Sequence, residues 1–213
     1  MSWARMMQHA DTHFYEPASG HGLTHDPIGS IVGPRPIGWI STRDRNENLN
    51  LAPYSFFNIF SYSPPVVAFS SVGYKDTVRN AEETGEFVCN LVTRGLAAKM
   101  NETSVEVDAL VDEFELARLT PLRCQLVRAP RVGESPVSLE CRTTDVIRLR
   151  DKGGNAINSW MAMGEVVGVH INRAYLTENT YVTDHASPIL RGGSWGDYFE
   201  INQDIKFQMR RPG

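Results

Sequence analysis

"PPVVAFSSVGYKDTVRNAEETGEF", residues 64–87, turns from strand to helix within a few positions and places a lysine and several hydroxyls at the joint. Pro64 to Val72 is apolar and β-branched behind two prolines, which suits a buried strand with a sharp start. Beyond the joint, Val78, Ala81 and Glu82 begin a helical run that stops at Gly85, with Asp76 or Thr77 placed to act as N-cap. A helix start presents unpaired backbone N–H groups and partial positive charge, so it can hold an anion. Lys75 adds a full charge there, and Ser70, Ser71 and Thr77 add hydroxyl donors. These residues allow two readings. One is a phosphate cradle; the other is an ordinary capped helix with a solvated lysine, the commoner use of such a pattern.

Short strand-like runs dominate on both sides of the joint. "PIGWIST" (36–42), the polar turn "RDRNENLN" (43–50) and "LAPYSFFNIF" (51–60) read as a hairpin. Downstream, "FVCNLVT" (87–93) reads as a strand and "GLAAKMNETS" (95–104) as a short helix, and "LTPLRCQLV" (119–127) offers a short strand within a loop-rich stretch. The longest strand candidates are "SPVSLECRTTDVIRLR" (135–150) and "NSWMAMGEVVGVHIN" (158–172), joined by a turn at 151–155. Their partial alternation suits antiparallel strands with one buried face. Many antiparallel strands with few short helices imply a β-barrel or sandwich.

Composition narrows the classes of function. With 213 residues, 41% apolar and 22% charged, the chain is an ordinary soluble globular protein of one domain, residues 28–213, behind a lead-in at 1–27. A net charge of -4 without a basic run gives no field for nucleic acid, and no segment is long and apolar enough to span a membrane. Cys89, Cys124 and Cys141 are odd in number and widely spaced, which points to free thiols in a reducing cytoplasm. Without a C-x-x-C pair, no metal site is expected. The lead-in holds His9, His13, His21 and His25 in pairs four apart, but Pro17, Gly20 and Gly22 interrupt any helix that would align them. No G-x-x-x-x-G-K, G-x-S-x-G or H-E-x-x-H motif occurs, and "GHGLTH" (20–25) lacks the third glycine of a dinucleotide fingerprint.

In chain order, "GPRPIGWIST" (33–42), "NLAPYSFFN" (50–58), "SSVGYKDTVRN" (70–80), "SPVSLEC" (135–141) and "GEVVGVHI" (164–171) form a specific combination. With these motifs the chain resembles the flavin reductase-like family of FMN-binding split-barrel proteins, from about His21 to Tyr198. The resemblance implies a mainly β fold with short helices: a six-stranded antiparallel Greek-key split barrel, usually a homodimer with flavin at the interface. It implies that Lys75, Asp76 and Thr77, with Ser70 and Ser71 nearby, hold the FMN phosphate. It further implies that Trp39, Ile40, Ser41, Ser55, Phe56, Phe57 and Asn58 line the isoalloxazine and ribityl chain. Trp39 and the two phenylalanines would be apolar walls, although strand neighbours point to opposite faces and at least one phenylalanine should only pack the core. His170, ending "GEVVGVH", would lie near the flavin as a catalytic residue, or be a histidine satisfied by the backbone. Arg191 and Tyr198 stand near the Arg-x-Gly-Gly-like tail, where Ser194 and Trp195 depart from the family pattern.

The implied activity is electron transfer from NADH or NADPH through FMN to an acceptor such as a monooxygenase partner. The alternative is a non-enzymatic flavin-binding electron carrier reduced by a protein partner.

Overall fold

The computed structural model describes residues 12–193 and 195–212. After a 3-10 turn at Pro17–Ser19, the chain forms helix α1 (Ile28–Ile31) and strands β1 (Arg35–Pro36), β2 (Gly38–Arg43), β3 (Leu49–Tyr54), β4 (Phe57–Tyr62) and β5 (Pro65–Val72). Helix α2 (Asp76–Thr84) leads to β6 (Glu86–Asn90), followed by α3 (Ala97–Glu102), α4 (Glu113–Leu116), β7 (Pro121–Leu122) and β8 (Arg131–Val132). The two long strands are β9 (Val137–Arg150) and β10 (Ala156–Ile171). Short pairs β11 (Leu176–Thr177) with β12 (Thr180–Tyr181), and β13 (Ile189–Arg191) with β14 (Tyr198–Glu200), complete the described chain.

Seven of these strands form one antiparallel sheet in the order β3-β2-β6-β9-β10-β5-β4. That is one strand more than the resemblance implies. The run at 51–60 divides at Ser55 and Phe56, and its halves β3 and β4 stand at opposite ends of the strand order. Two residues carry the chain from one edge of the sheet to the other, so the sheet must curl until its edges meet. Among the described residues no ladder joins β3 to β4 or β5, which leaves the barrel split along that seam.

The hairpin expected at 36–60 is β2 against β3, with Trp39 opposite Pro53. Its turn is fixed by Asp44, whose side chain accepts the N–H groups of Asn46 and Asn48. The second hairpin, β9 to β10, turns on Asp151, which accepts from Gly153 and Asn155. Only Pro121–Leu122 of the strand expected at 119–127 is extended in a ladder, because β8 offers it two partners and no more.

Packing explains β2. Ile40 points into the barrel with Val67, Phe69, Phe87, Cys89, Cys141 and Ala162, a core closed at one end by Val78 and Ala81 of α2. Its neighbour Trp39 points the other way, into a second core with Leu51, Val92, Met100, Phe114 and Val132 under the short helices. Successive strand residues face opposite sides, and here both sides are covered. Gly38 permits a close approach at this strand, since a Cβ would stand 2.7 Å from the Phe57 ring.

Candidate functional site

The joint of β5 and α2 opens on a cavity of about 360 Å³ in the seam between β3 and β5. Gly73, at φ +90°, turns the chain out of the strand, and Lys75 follows in extended conformation as N-cap of α2. The cap differs from expectation: no side chain bonds the helix start. Asp76, already inside the helix, turns to Arg79 at 2.5 Å. Thr77 is buried and accepts from Asn50 Nδ2 at 2.8 Å. The first helical bond runs from the Arg79 N–H to the Lys75 carbonyl, so the N–H groups of Asp76, Thr77 and Val78 precede the ladder.

Lys75 Nζ lies 2.6 Å from Glu106, on the loop after α3. The hydrogen bond and charge of Lys75 hold the Glu106 carboxyl below its usual range. Glu113 and Tyr54 line the same cavity. Burial pushes the Glu113 carboxyl up, against an opposing bond from the Leu51 N–H. Burial likewise raises the Tyr54 phenol, opposed by bonds with Thr77 and Ser71.

A second cavity of about 410 Å³ lies against β4 and β5 and is mostly apolar, lined by Val32, Arg35, Phe56, Phe57, Asn58 and Ser70 among others. Phe56 is exposed, with the Arg35 guanidinium 5.5 Å from its ring centroid. Phe57 packs toward the barrel core. Asn58 accepts the N–H of Ile59, and the Ser55 carbonyl accepts from Arg35 Nε at 3.1 Å.

The residues expected at one site therefore divide. Lys75, Asp76, Thr77 and Ser71 border the first cavity, while Phe56, Phe57, Asn58 and Ser70 border the second. Ser70 and Ser71 cannot act side by side, because adjacent strand residues face opposite ways. Ser71 is buried and donates to the Gly73 carbonyl at 2.9 Å.

The three residues expected on β2 keep their side chains inside the protein. Trp39, Ile40 and Ser41 are each fully buried, so none offers its side chain to a surface groove. Trp39 Nε1 donates to Thr103 Oγ1 at 2.9 Å, and Ser41 Oγ donates to the Pro130 carbonyl at 2.5 Å.

His170 lies at the far end of β10 from the Lys75 joint of the same chain. On β10, Trp160 stands opposite Ser71, but His170 stands opposite Ser138. Ten residues of strand, roughly 30 Å, separate it from the Lys75 end of the same chain. Its Nε2 instead meets Glu140 Oε1 at 2.5 Å. Arg191 and Tyr198 stack on each other, 5.0 Å from guanidinium to ring centroid. Among the lead-in histidines, His21 and His25 lie on non-helical backbone, and His9 is outside the described residues.

Sequence reasoning did not single out Arg35, Glu106 or Glu113. Arg35 sits inside the quoted "GPRP" motif and could have been found there; Glu106 and Glu113 lie in an acidic, loop-rich stretch with no local signal.

A model of the flavin reductase like domain matches residues 33–189, nearly three quarters of the chain. The chain belongs to the flavin reductase like domain family. An uncharacterized protein of Aquifex aeolicus is 38% identical over 175 residues, covering 79% of this chain and 85% of that relative. Nitrilotriacetate monooxygenase component B from Bacillus cereus superposes with a TM-score of 0.78 at 28% identity, covering 88% of this chain and 98% of that one. A protein with a split barrel domain from Shewanella frigidimarina gives 0.74 at 24% identity, over 87% and 89% of the two chains. The fold is thus the family's split barrel.

The donor set of this flavin reductase-like chain suits a flavin phosphate. Free N–H groups at the start of a nine-residue helix and the Lys75 ammonium converge on one cavity, and Arg79 already neutralises Asp76. Glu106 pairs with Lys75 from an exposed loop and would have to move aside for an anion there.

Proposed function

We propose that this protein is an FMN-dependent oxidoreductase that accepts electrons from NADH or NADPH and passes them to a second acceptor. The observation that carries the proposal is Lys75 at the open start of α2, within the motif order of its family. FMN supplies the hydride-accepting chemistry when bound, and the protein has to bind, orient and shield it. Lys75 and the first-turn N–H groups of α2 would hold the phosphate. Phe56 and Phe57, which border the second cavity, would supply apolar wall to a flavin held at the Lys75 end of a second copy, and Arg35, fixed by the Ser55 carbonyl, would keep Phe56 in place. No nicotinamide fingerprint is needed if the nicotinamide stacks on the flavin itself. In stopped-flow mixing with FMN, flavin absorbance should bleach with NADH or with NADPH. Failure with both, together with reduction by a protein reductase, would make the protein an electron carrier instead.

The Bacillus cereus neighbour is by name one component of a monooxygenase, which supports a separate monooxygenase component as acceptor here. Three free thiols fit a reducing cytoplasm, and among the described residues no helix is long and apolar enough to cross a membrane.

Assembly follows from β4, the edge strand. Phe56 is 54% exposed, Phe60 62% and Tyr62 84%, and exposed Val32 lines the second cavity with Phe56 and Phe60. Contiguous aromatic exposure on a sheet edge is uncommon in a monomer. A second copy related by a two-fold axis would cover it, next to the second cavity. Light scattering should report twice the 23.8 kDa chain mass; a monomer would count against this arrangement.

A further inference from the structure

We propose that Cys124, Glu140 and His170 form a binding site for a zinc-class divalent cation, on a part of the barrel separate from both cavities. One ligand atom from each residue lies within 4.8 Å of the other two. They come from three places in the fold: the loop between β7 and β8, the start of β9 and the end of β10. The β9–β10 register sets Gly168 opposite Glu140, which makes His170, two residues on, its diagonal neighbour on the same face. Gly168 leaves the space the carboxylate occupies, since a Cβ there would stand 3.2 Å from the Glu140 carboxyl carbon.

Glu140 is 1% exposed and is held as a ligand would be held. Its oxygens accept the N–H groups of Gln125, Leu126 and Val127 at 2.6 to 3.0 Å. These three bonds come from the loop that carries Cys124, so carboxylate and thiol are positioned together, as outer-shell bonds position metal ligands. The remaining contact of Glu140 is His170 Nε2 at 2.5 Å. That contact is the one a cation would take over, bonding Nε2 and Oε1 instead of letting them touch.

Two ligands of a tetrahedral zinc lie about 3.3–3.7 Å apart. The histidine and carboxylate, 2.5 Å apart, would open by about 1 Å to take the ion between them. Cys124 and His170 are only partly buried, which gives the ion an entry path and leaves the fourth position to water. A thiolate, an imidazole and a carboxylate select zinc over magnesium or calcium. The sequence hid the site because its ligands are 16 and 30 residues apart, without any metal-binding spacing.

The test is zinc binding to the untagged, FMN-supplemented full chain, followed by X-ray absorption at the zinc edge. One zinc per chain is expected, with a single sulfur at about 2.3 Å among nitrogen and oxygen neighbours. Cys124→Ser should remove the sulfur shell, and Cys124→Ser and His170→Gln should each weaken binding at least tenfold while leaving the thermal melt of the zinc-free protein near that of wild type. A sulfur-free shell in the wild type would place zinc elsewhere, for instance on the lead-in histidines, and overturn the proposal. So would more than one sulfur, or affinities unchanged in both variants. Because the readout is the zinc environment, it does not depend on whether FMN is reduced by nicotinamide.

Discussion

Trp39→Ala should lower the free energy of unfolding by about 3–5 kcal/mol, the usual cost of emptying a buried tryptophan site. Trp39 is fully buried and packs among Leu51, Val92, Met100 and Phe114, and its Nε1 donates to the buried Thr103. The cavity dominates the loss, because the Thr103 hydroxyl keeps its own bond to the Met100 carbonyl at 2.8 Å when the indole donor goes. Trp39→Phe keeps most of the volume and loses the hydrogen bond, and should cost only about 1 kcal/mol. Urea unfolding of the flavin-free protein, with unchanged m-value, measures both. FMN affinity provides the discriminating control: it should be nearly the same for Trp39→Phe and wild type. A large loss of FMN affinity in Trp39→Phe without loss of stability would return Trp39 to the flavin.

The burial of Trp39 shows what a strand pattern can and cannot reveal. "GPRPIGWIST" announces a strand, but a continuous apolar run does not say which face meets which layer, and β2 is covered on both. The β9–β10 hairpin was legible because its strands are long and its turn chemistry at Asp151 is local. The split of 51–60 into β3 and β4 was not, because nothing in Ser55 or Phe56 signals that the sheet curls back on itself at that point. The candidate site was legible to the same degree. Lys75 and the start of α2 are a local feature and stand where the sequence put them. His170 depended on its position across the sheet, and the register that pairs it with Ser138 is a long-range outcome of folding. Glu106 reaches Lys75 from 31 residues away, through a loop whose path no short-range pattern encodes.

Lys75→Ala should weaken FMN binding roughly ten- to hundredfold while hardly changing the binding of riboflavin. The difference lies in the phosphate. A charge-assisted contact to a partly desolvated anion is worth roughly 1.5–3 kcal/mol, and riboflavin cannot make it. Wild type and Lys75→Ala with both ligands form a double-mutant cycle in which effects on folding or on the ring cancel. Glu106→Gln supplies the opposite sign. It removes the carboxylate that holds Lys75 at 2.6 Å, so FMN should bind severalfold tighter and riboflavin should be indifferent. In the Lys75→Ala background the Glu106→Gln gain should shrink, because part of it acts through the lysine. Flavin fluorescence titrations read all of these affinities. If Lys75→Ala weakens FMN and riboflavin equally, the lysine is not a phosphate ligand, and the cavity at the start of α2 is not where the cofactor's charged end lies.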